Sequence, residues 1–115
     1  MKALDRPLDL ARTAVAANAA RPATAVLHDT ADVRQVVFRL EPGQSVPPHR
    51  SVSTVLLTVL EGNGILSGEK SGTVIERACI AGDVVAYEPN ELHGMRADGN
   101  TLLLLATITP RPGDR

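Results

Sequence analysis

Two histidines, His49 and His93, are the residues of this sequence best suited to chemistry. His49 follows Pro47-Pro48, a pair that stiffens the backbone and removes two amide donors. His93 lies just beyond a proline-containing turn, in the segment "LHGMRA". If their segments lie in neighbouring sheets, the two imidazoles converge on one cavity, where neutral ring nitrogens suit zinc, iron, nickel or copper. A hydrogen-bonded, partly buried ring is the alternative for each histidine taken alone.

The residues after His49 predict a strand with one inward face, which begins with polar side chains at the open end of a cavity and continues with aliphatic side chains inside it. Side chains alternate between the two faces of a strand. One face then carries Ser51, Ser53, Val55, Leu57 and Val59, and the other carries Thr54, Leu56, Thr58 and Leu60. Aliphatic lining with a few convergent polar groups is typical of a small-molecule pocket. The predicted pocket residues are His49, Ser51, Val55, Leu57, His93 and Met95.

Composition excludes several classes of partner. The chain has 115 residues, and its 12 basic and 13 acidic residues leave a net charge of −1, so we expect neither nucleic-acid nor membrane binding. The only aromatic residues are Phe38 and Tyr87. The single Cys79 lies in an apolar run, which indicates a buried, inert thiol. We expect no signal peptide and a cytoplasmic protein.

The elements that must position these residues are mostly short strands. An amphipathic helix is predicted from Pro7 to Asn18, ended by Arg21-Pro22. Beyond it, β-branched and leucine runs alternate with glycine, proline and asparagine turns. The predicted strands are Thr24–His28, Val33–Leu40, Val52–Leu60, Ile65–Ser67, Thr73–Ile80, Val84–Tyr87, Leu92–Ala97 and Thr101–Thr109.

Many short strands predict an all-β antiparallel sandwich or barrel. We divide the chain into a helical arm (1–22), a barrel (23–110) and a flexible tail (111–115). The run Leu102–Ala106 lacks polar alternation, so both its faces should be covered, one by the core and the other by the helix or a second subunit. The helix and this two-sided strand together favour a homodimer.

Two motifs make the chain similar to the cupins, the RmlC-like jelly-roll barrels, over roughly Val33–Ile108. The first motif of that family is G-x5-H-x-H-x3–4-E-x6-G, and Gly43, His49 and Gly62 match it. The second motif is G-x5-P-x-G-x2-H-x3-N, and Gly82 and His93 match it. The resemblance implies a single double-stranded β-helix, a jelly-roll barrel, preceded here by a short N-terminal helix.

The resemblance also implies a divalent metal, but this chain departs from the ligand set. A typical cupin binds one metal through both first-motif histidines, the glutamate and the later histidine. Here Ser51 stands at the second histidine and Val55 at the glutamate, so His49 and His93 are the remaining candidate ligands. His28 is a further candidate that could complete a three-histidine site. Zinc, iron, nickel or manganese would be the metal.

Charged residues near these motifs are assigned to the surface. Strand alternation turns Arg50 and Arg96 outward, into solvent. Asp83 and Glu61 lie at turns, where carboxylates accept backbone hydrogen bonds.

Two hypotheses for function follow. The first is a cupin-fold protein that binds a small organic ligand in its barrel with weak or no metal dependence. The alternative is a metal-dependent dioxygenase or isomerase that uses His49 and His93 plus ligands from outside the usual motif. Metal-free acid–base chemistry by one of these histidines is a third possibility, although the sequence places no partner carboxylate beside either.

Overall fold

The computed structural model describes residues 1–112, which form one helix and nine strands. The helix α1 spans Pro7–Thr13. The strands are β1 (Ala23–Asp29), β2 (Arg34–Leu40), β3 (Ser45–His49), β4 (Thr54–Glu61), β5 (Asn63–Lys70), β6 (Thr73–Ile80), β7 (Val84–Tyr87), β8 (His93–Ala97) and β9 (Leu102–Thr109).

The strands form two antiparallel sheets that face each other. One sheet has the order β1-β2-β9-β4-β7, and the other has the order β3-β8-β5-β6. Apart from β1–β2 and β5–β6, which pair within one sheet, each strand is followed by a strand of the other sheet, as in a jelly roll. The predicted all-β jelly-roll barrel with a short N-terminal helix is therefore confirmed.

The core lies between the sheets and follows the predicted alternation of β4. Val55, Leu57 and Val59 are buried, whereas Thr54 and Leu56 are only half-buried. The same inward face continues onto neighbouring strands through Leu40, Leu66, Cys79, Tyr87, Met95, Leu102 and Leu104.

The outer face of β9 is covered by α1 of the same chain. Leu103 packs with Val37 and with Ala11 of the helix in a second apolar cluster. The Arg39 guanidinium donates to the carbonyl oxygens of Ala11 (2.8 Å) and Arg12 (3.0 Å), which satisfies carbonyls at the helix end. The prediction that both faces of β9 are covered is confirmed. Because the helix supplies this cover, the strand does not require a second subunit, and the homodimer stays a prediction.

The predicted helix is too long. It ends at Thr13 instead of Asn18, because Ala14 already has an extended backbone, with ψ of 141°. Val15 points into solvent, so the alanine-rich segment after it has no apolar face to bury. Asn18 instead makes a turn in which its side chain accepts a hydrogen bond from the amide of Ala20.

Two strands differ from the prediction. The sequence does not predict β3, because Pro47-Pro48 is typical of a break in a strand. The prolines are tolerated here because β3 lies at the edge of its sheet. β5 runs well beyond the predicted Ile65–Ser67. Gly64 reads as a turn residue, but a Cβ there would lie 2.4 Å from Leu102 Cδ2, so the strand needs glycine for close packing.

The first residue of the predicted tail is held against the barrel. Arg111 pairs with the carboxylate of Asp29, and its amide donates to the carbonyl oxygen of Asp32 at 3.3 Å. The rest of that prediction, from residue 113 to residue 115, lies outside the described residues. Among residues 1–112, no helix has both the length and the apolar character needed to cross a membrane.

Candidate functional site

Strand pairing places the two histidines directly opposite each other. His49 is the last residue of β3, His93 is the first residue of β8, and the two are Cα partners in the ladder. Their ring centroids lie 4.1 Å apart, with the ring planes tilted by 58°. His93 is buried and His49 is exposed, so one ring lies inside the mouth and the other at its rim.

This placement differs from the one expected of His49. The sequence put it on the same strand as Val55, but four residues separate β3 from β4, and the two strands belong to different sheets. The β3–β8 ladder is irregular between Val46 and His49, where the prolines lie. Gly94 allows this approach, since a Cβ there would lie 3.0 Å from Pro48 Cα. The bulge carries His49 to its position opposite His93.

Each imidazole is oriented by a backbone carbonyl two residues earlier. His49 Nδ1 lies 3.0 Å from the carbonyl oxygen of Pro47, and His93 Nδ1 lies 3.3 Å from that of Glu91. A carbonyl oxygen only accepts, so the hydrogen-bond network assigns the proton of each neutral ring to Nδ1. The second nitrogen of each ring, Nε2, then carries a lone pair.

Burial keeps His93 neutral. The pKa of His93 is lowered, chiefly by desolvation and to a lesser degree by the neighbouring His49, and the hydrogen bond to the Glu91 carbonyl opposes this shift. The ring of Tyr87 lies on another side of His93, with centroids 5.2 Å apart. His93 is therefore an acceptor at neutral pH.

The two histidines open onto a cavity of about 360 Å³ between the sheets. All six predicted pocket residues line it. The sequence reasoning missed the rest of the wall: Val46 lies on the unpredicted β3, and the inward alternation of β2 and β9 could have identified Phe38, Ala106 and Ile108. The remaining lining residues are Arg50, Val52 and Pro112.

Polar contacts join the loop after His49 (residues 50–53) to the loop before His93 (residues 88–92) at the open end of the cavity. We call this set of contacts the clamp. Arg50 forms a two-point ion pair with Glu69, in which its Nη2 donates to Oε2 at 3.0 Å, and it also donates to the Asn90 carbonyl oxygen at 2.7 Å. Glu69 accepts from the amide of Leu92, and Asn90 donates its amide to the Ser51 carbonyl oxygen. The pKa of Glu69 is lowered, first by Arg50 and then by that amide.

Arg50 is exposed, as predicted. In addition, its guanidinium fixes the loop after His49 to the loop before His93. Arg96 is also paired, with Glu76 at 3.3 Å. Glu61 does not cap a turn but pairs with Arg12, whereas Asp83 does accept from the Ile80 amide, as predicted.

The side chains do not fit the metal that the resemblance implies. Ser51 and Val55 line the cavity at the positions of the missing ligands, and His28, on the outermost strand β1, is not part of the lining. Among residues 1–112, no three or more histidine, cysteine or acidic side chains group as a metal site. The ring centroids lie 4.1 Å apart, which is closer than the roughly 5 Å expected for two imidazoles on one tetrahedral zinc.

The one cysteine takes no part in the cavity. Cys79 is buried in the core, and burial raises the pKa of its thiol. This environment agrees with the predicted inert thiol.

Tyr87, the only tyrosine of the sequence, is a probe of the buried environment next to His93. Its hydroxyl donates to the Ser67 carbonyl oxygen at 2.8 Å, and burial raises its pKa to about 12. We expect tyrosinate absorbance to appear with a midpoint near pH 12 in the folded protein and near pH 10 in denaturant.

Because the pKa of Tyr87 is raised on folding, the free energy of unfolding should fall at high pH. The neutral phenol is favoured in the folded state, so its contribution, on the order of 3 kcal/mol, is present below pH 10 and is lost as pH rises through 12. Chemical denaturation of wild type and Tyr87→Phe between pH 8 and 11 measures about the first half of this loss. Parallel losses of stability in both proteins would contradict the assignment.

Comparisons with known proteins agree with this fold. A family model described as "Cupin domain" matches residues 36–109. A solved structure from Klebsiella pneumoniae, an uncharacterized conserved protein with a double-stranded β-helix domain, is similar with 22% identity, a TM-score of 0.75, and coverage of 87% of this chain and 86% of that one. An RmlC-like cupin from Desulfovibrio desulfuricans has 28% identity and a TM-score of 0.70, with coverage of 85% and 91%. The TT1209 protein of Thermus thermophilus has 23% identity and a TM-score of 0.75, with coverage of 88% and 94%. No curated protein matches the chain in sequence.

Proposed function

Because the chain belongs to the cupin domain family, we propose that it is a binding protein whose barrel receives a small, mainly apolar organic molecule without a bound metal. The observation that carries this proposal is the cavity itself. Its volume of about 360 Å³ lies within the range of small-molecule sites.

The lining supports direct recognition of an organic ligand. Aliphatic side chains from four strands form the wall, and the two imidazoles are grouped at one end. Burial of apolar ligand surface against this wall supplies affinity, while the imidazoles fix orientation. Where other cupins place an anionic ligand for a metal, Val55 adds to the apolar wall.

The experiment uses three probes that share a methylphenyl body and differ in the para group: toluene, 4-methylphenol and 4-methylbenzoate. We expect at least one to bind the wild type in titrations followed by NMR of the Met95 methyl group. Ala106→Leu, which fills the cavity from β9, should abolish that binding. Ala78→Leu places the same change on an exposed position of β6 and should leave binding intact.

Failure of all three probes to bind, or equal binding by Ala106→Leu, would overturn the proposal. Metal analysis of untagged protein supplies the second arm. Stoichiometric zinc, iron, nickel or manganese that is lost in His49→Ala/His93→Ala would favour the metal-dependent dioxygenase or isomerase instead.

A further inference from the structure

The ring nitrogens of His49 and His93 that make no hydrogen bond to the backbone are acceptors. Both Nδ1–H groups are used by the carbonyl oxygens of Pro47 and Glu91. Within residues 1–112, neither Nε2 has a hydrogen-bond partner. His93 Nε2 is not sealed in the core either, since the one buried side-chain nitrogen or oxygen there without a partner is Nε of Arg34. Two unshared lone pairs are therefore available at the end of the cavity where the rings meet.

Among residues 1–112, the cavity wall offers no uncommitted positive charge. Arg50 is the only charged residue of that part of the chain in the lining, and its guanidinium is paired with Glu69 and shared with the Asn90 carbonyl. A carboxylate in this cavity would lose its hydration and present its own lone pairs to those of the imidazoles. A hydroxyl on an apolar body would instead donate to an Nε2 atom.

We infer that the ligand is a neutral alcohol or phenol with an apolar body, whose hydroxyl donates a hydrogen bond to the His49–His93 pair. This inference rests on the proposed function and assigns the chemical class of its ligand. The remaining wall accommodates the hydrocarbon part, because Val55, Leu57 and Met95 carry no polar hydrogen.

The same three probes test the inference at pH 8 by calorimetry or NMR. We expect 4-methylphenol to bind at least about 10-fold more tightly than toluene or 4-methylbenzoate, the effect of one good hydrogen bond. His49→Phe/His93→Phe should remove the preference, so that the ratio of 4-methylphenol affinity to toluene affinity in the variant falls to about one. His49→Phe alone, at the exposed rim, is the second variant if the double variant does not fold, and it should reduce the advantage.

The outcomes separate the two proposals. Tightest binding by 4-methylbenzoate at pH 8, or an undiminished preference for 4-methylphenol in the folded variants, would overturn the inference while the binding function stands. Absence of binding by every probe would overturn the function itself. Long-range ¹H–¹⁵N spectra of the imidazoles give an independent check, because protonation of Nε2 in place of Nδ1 would remove the basis of the inference.

Discussion

The double variant Ser51→His/Val55→Glu is expected to convert the cavity into a metal site. Both positions already line the cavity with His49 and His93, so the change completes a set of three histidines and one carboxylate. Such a set suits zinc, manganese or iron. With free zinc at about 100 times its dissociation constant, the metal should stabilise the variant by about 2.7 kcal/mol, and the wild type should gain little.

Without metal, the buried carboxylate introduced by Val55→Glu should lower the stability of the double variant. Val55 is 3% exposed, so a glutamate there is desolvated and resists ionisation. The metal-free variant should therefore melt below the wild type, and zinc should restore or exceed the wild-type melting temperature. Thermal melts of untagged proteins with zinc and with EDTA measure both effects.

Ser51→His/Val55→Gln is the matched control, since glutamine keeps the size of glutamate without its charge. We expect the control to gain much less from zinc. An equal gain in the wild type would contradict the view that Ser51 and Val55 removed the metal site. An equal gain in the control would show that the carboxylate is not the missing element.

The sequence was sufficient to predict the barrel and six of the residues that line its cavity. Alternation along β4 predicted the burial of Val55 and Leu57 because a strand with one buried face has a period of two. The same logic could not find β3, since prolines argue against a strand until its position at a sheet edge is known.

The contacts that organise the mouth depend on residues far apart in the chain. Arg50 and Glu69 are 19 positions apart, and their pairing arises only when β5 lies beside β8. The exclusion of His28 likewise follows from sheet order, which places its strand at the outer edge of the other sheet. No local pattern in the sequence carries this information.

Gly62→Ala is expected to be the most destabilising single change among the motif glycines. Gly62 joins β4 to β5 with φ of +80°, and a Cβ there would lie 2.1 Å from the carbonyl oxygen of Thr101. The left-handed backbone costs a non-glycine residue about 1 to 2 kcal/mol, and relief of the overlap should add about 1 to 3 kcal/mol. The melting temperature should fall by about 10 to 20 °C.

Gly43→Ala separates these two costs, because Gly43 has a similar φ of +85° but no atom within 4 Å of its Cβ position. It should show only the backbone cost, so the difference between the two variants measures the contact between Gly62 and Thr101. That contact joins the β4–β5 corner to the start of β9, and the Gly62 carbonyl also accepts from the Ala81 amide at 3.1 Å. Equal losses of stability would mean that the corner shifts freely and that both glycines serve backbone conformation alone. A larger loss for Gly62→Ala would identify this corner as a fixed joint between strands that carry Leu57 and Ala106 into the cavity wall.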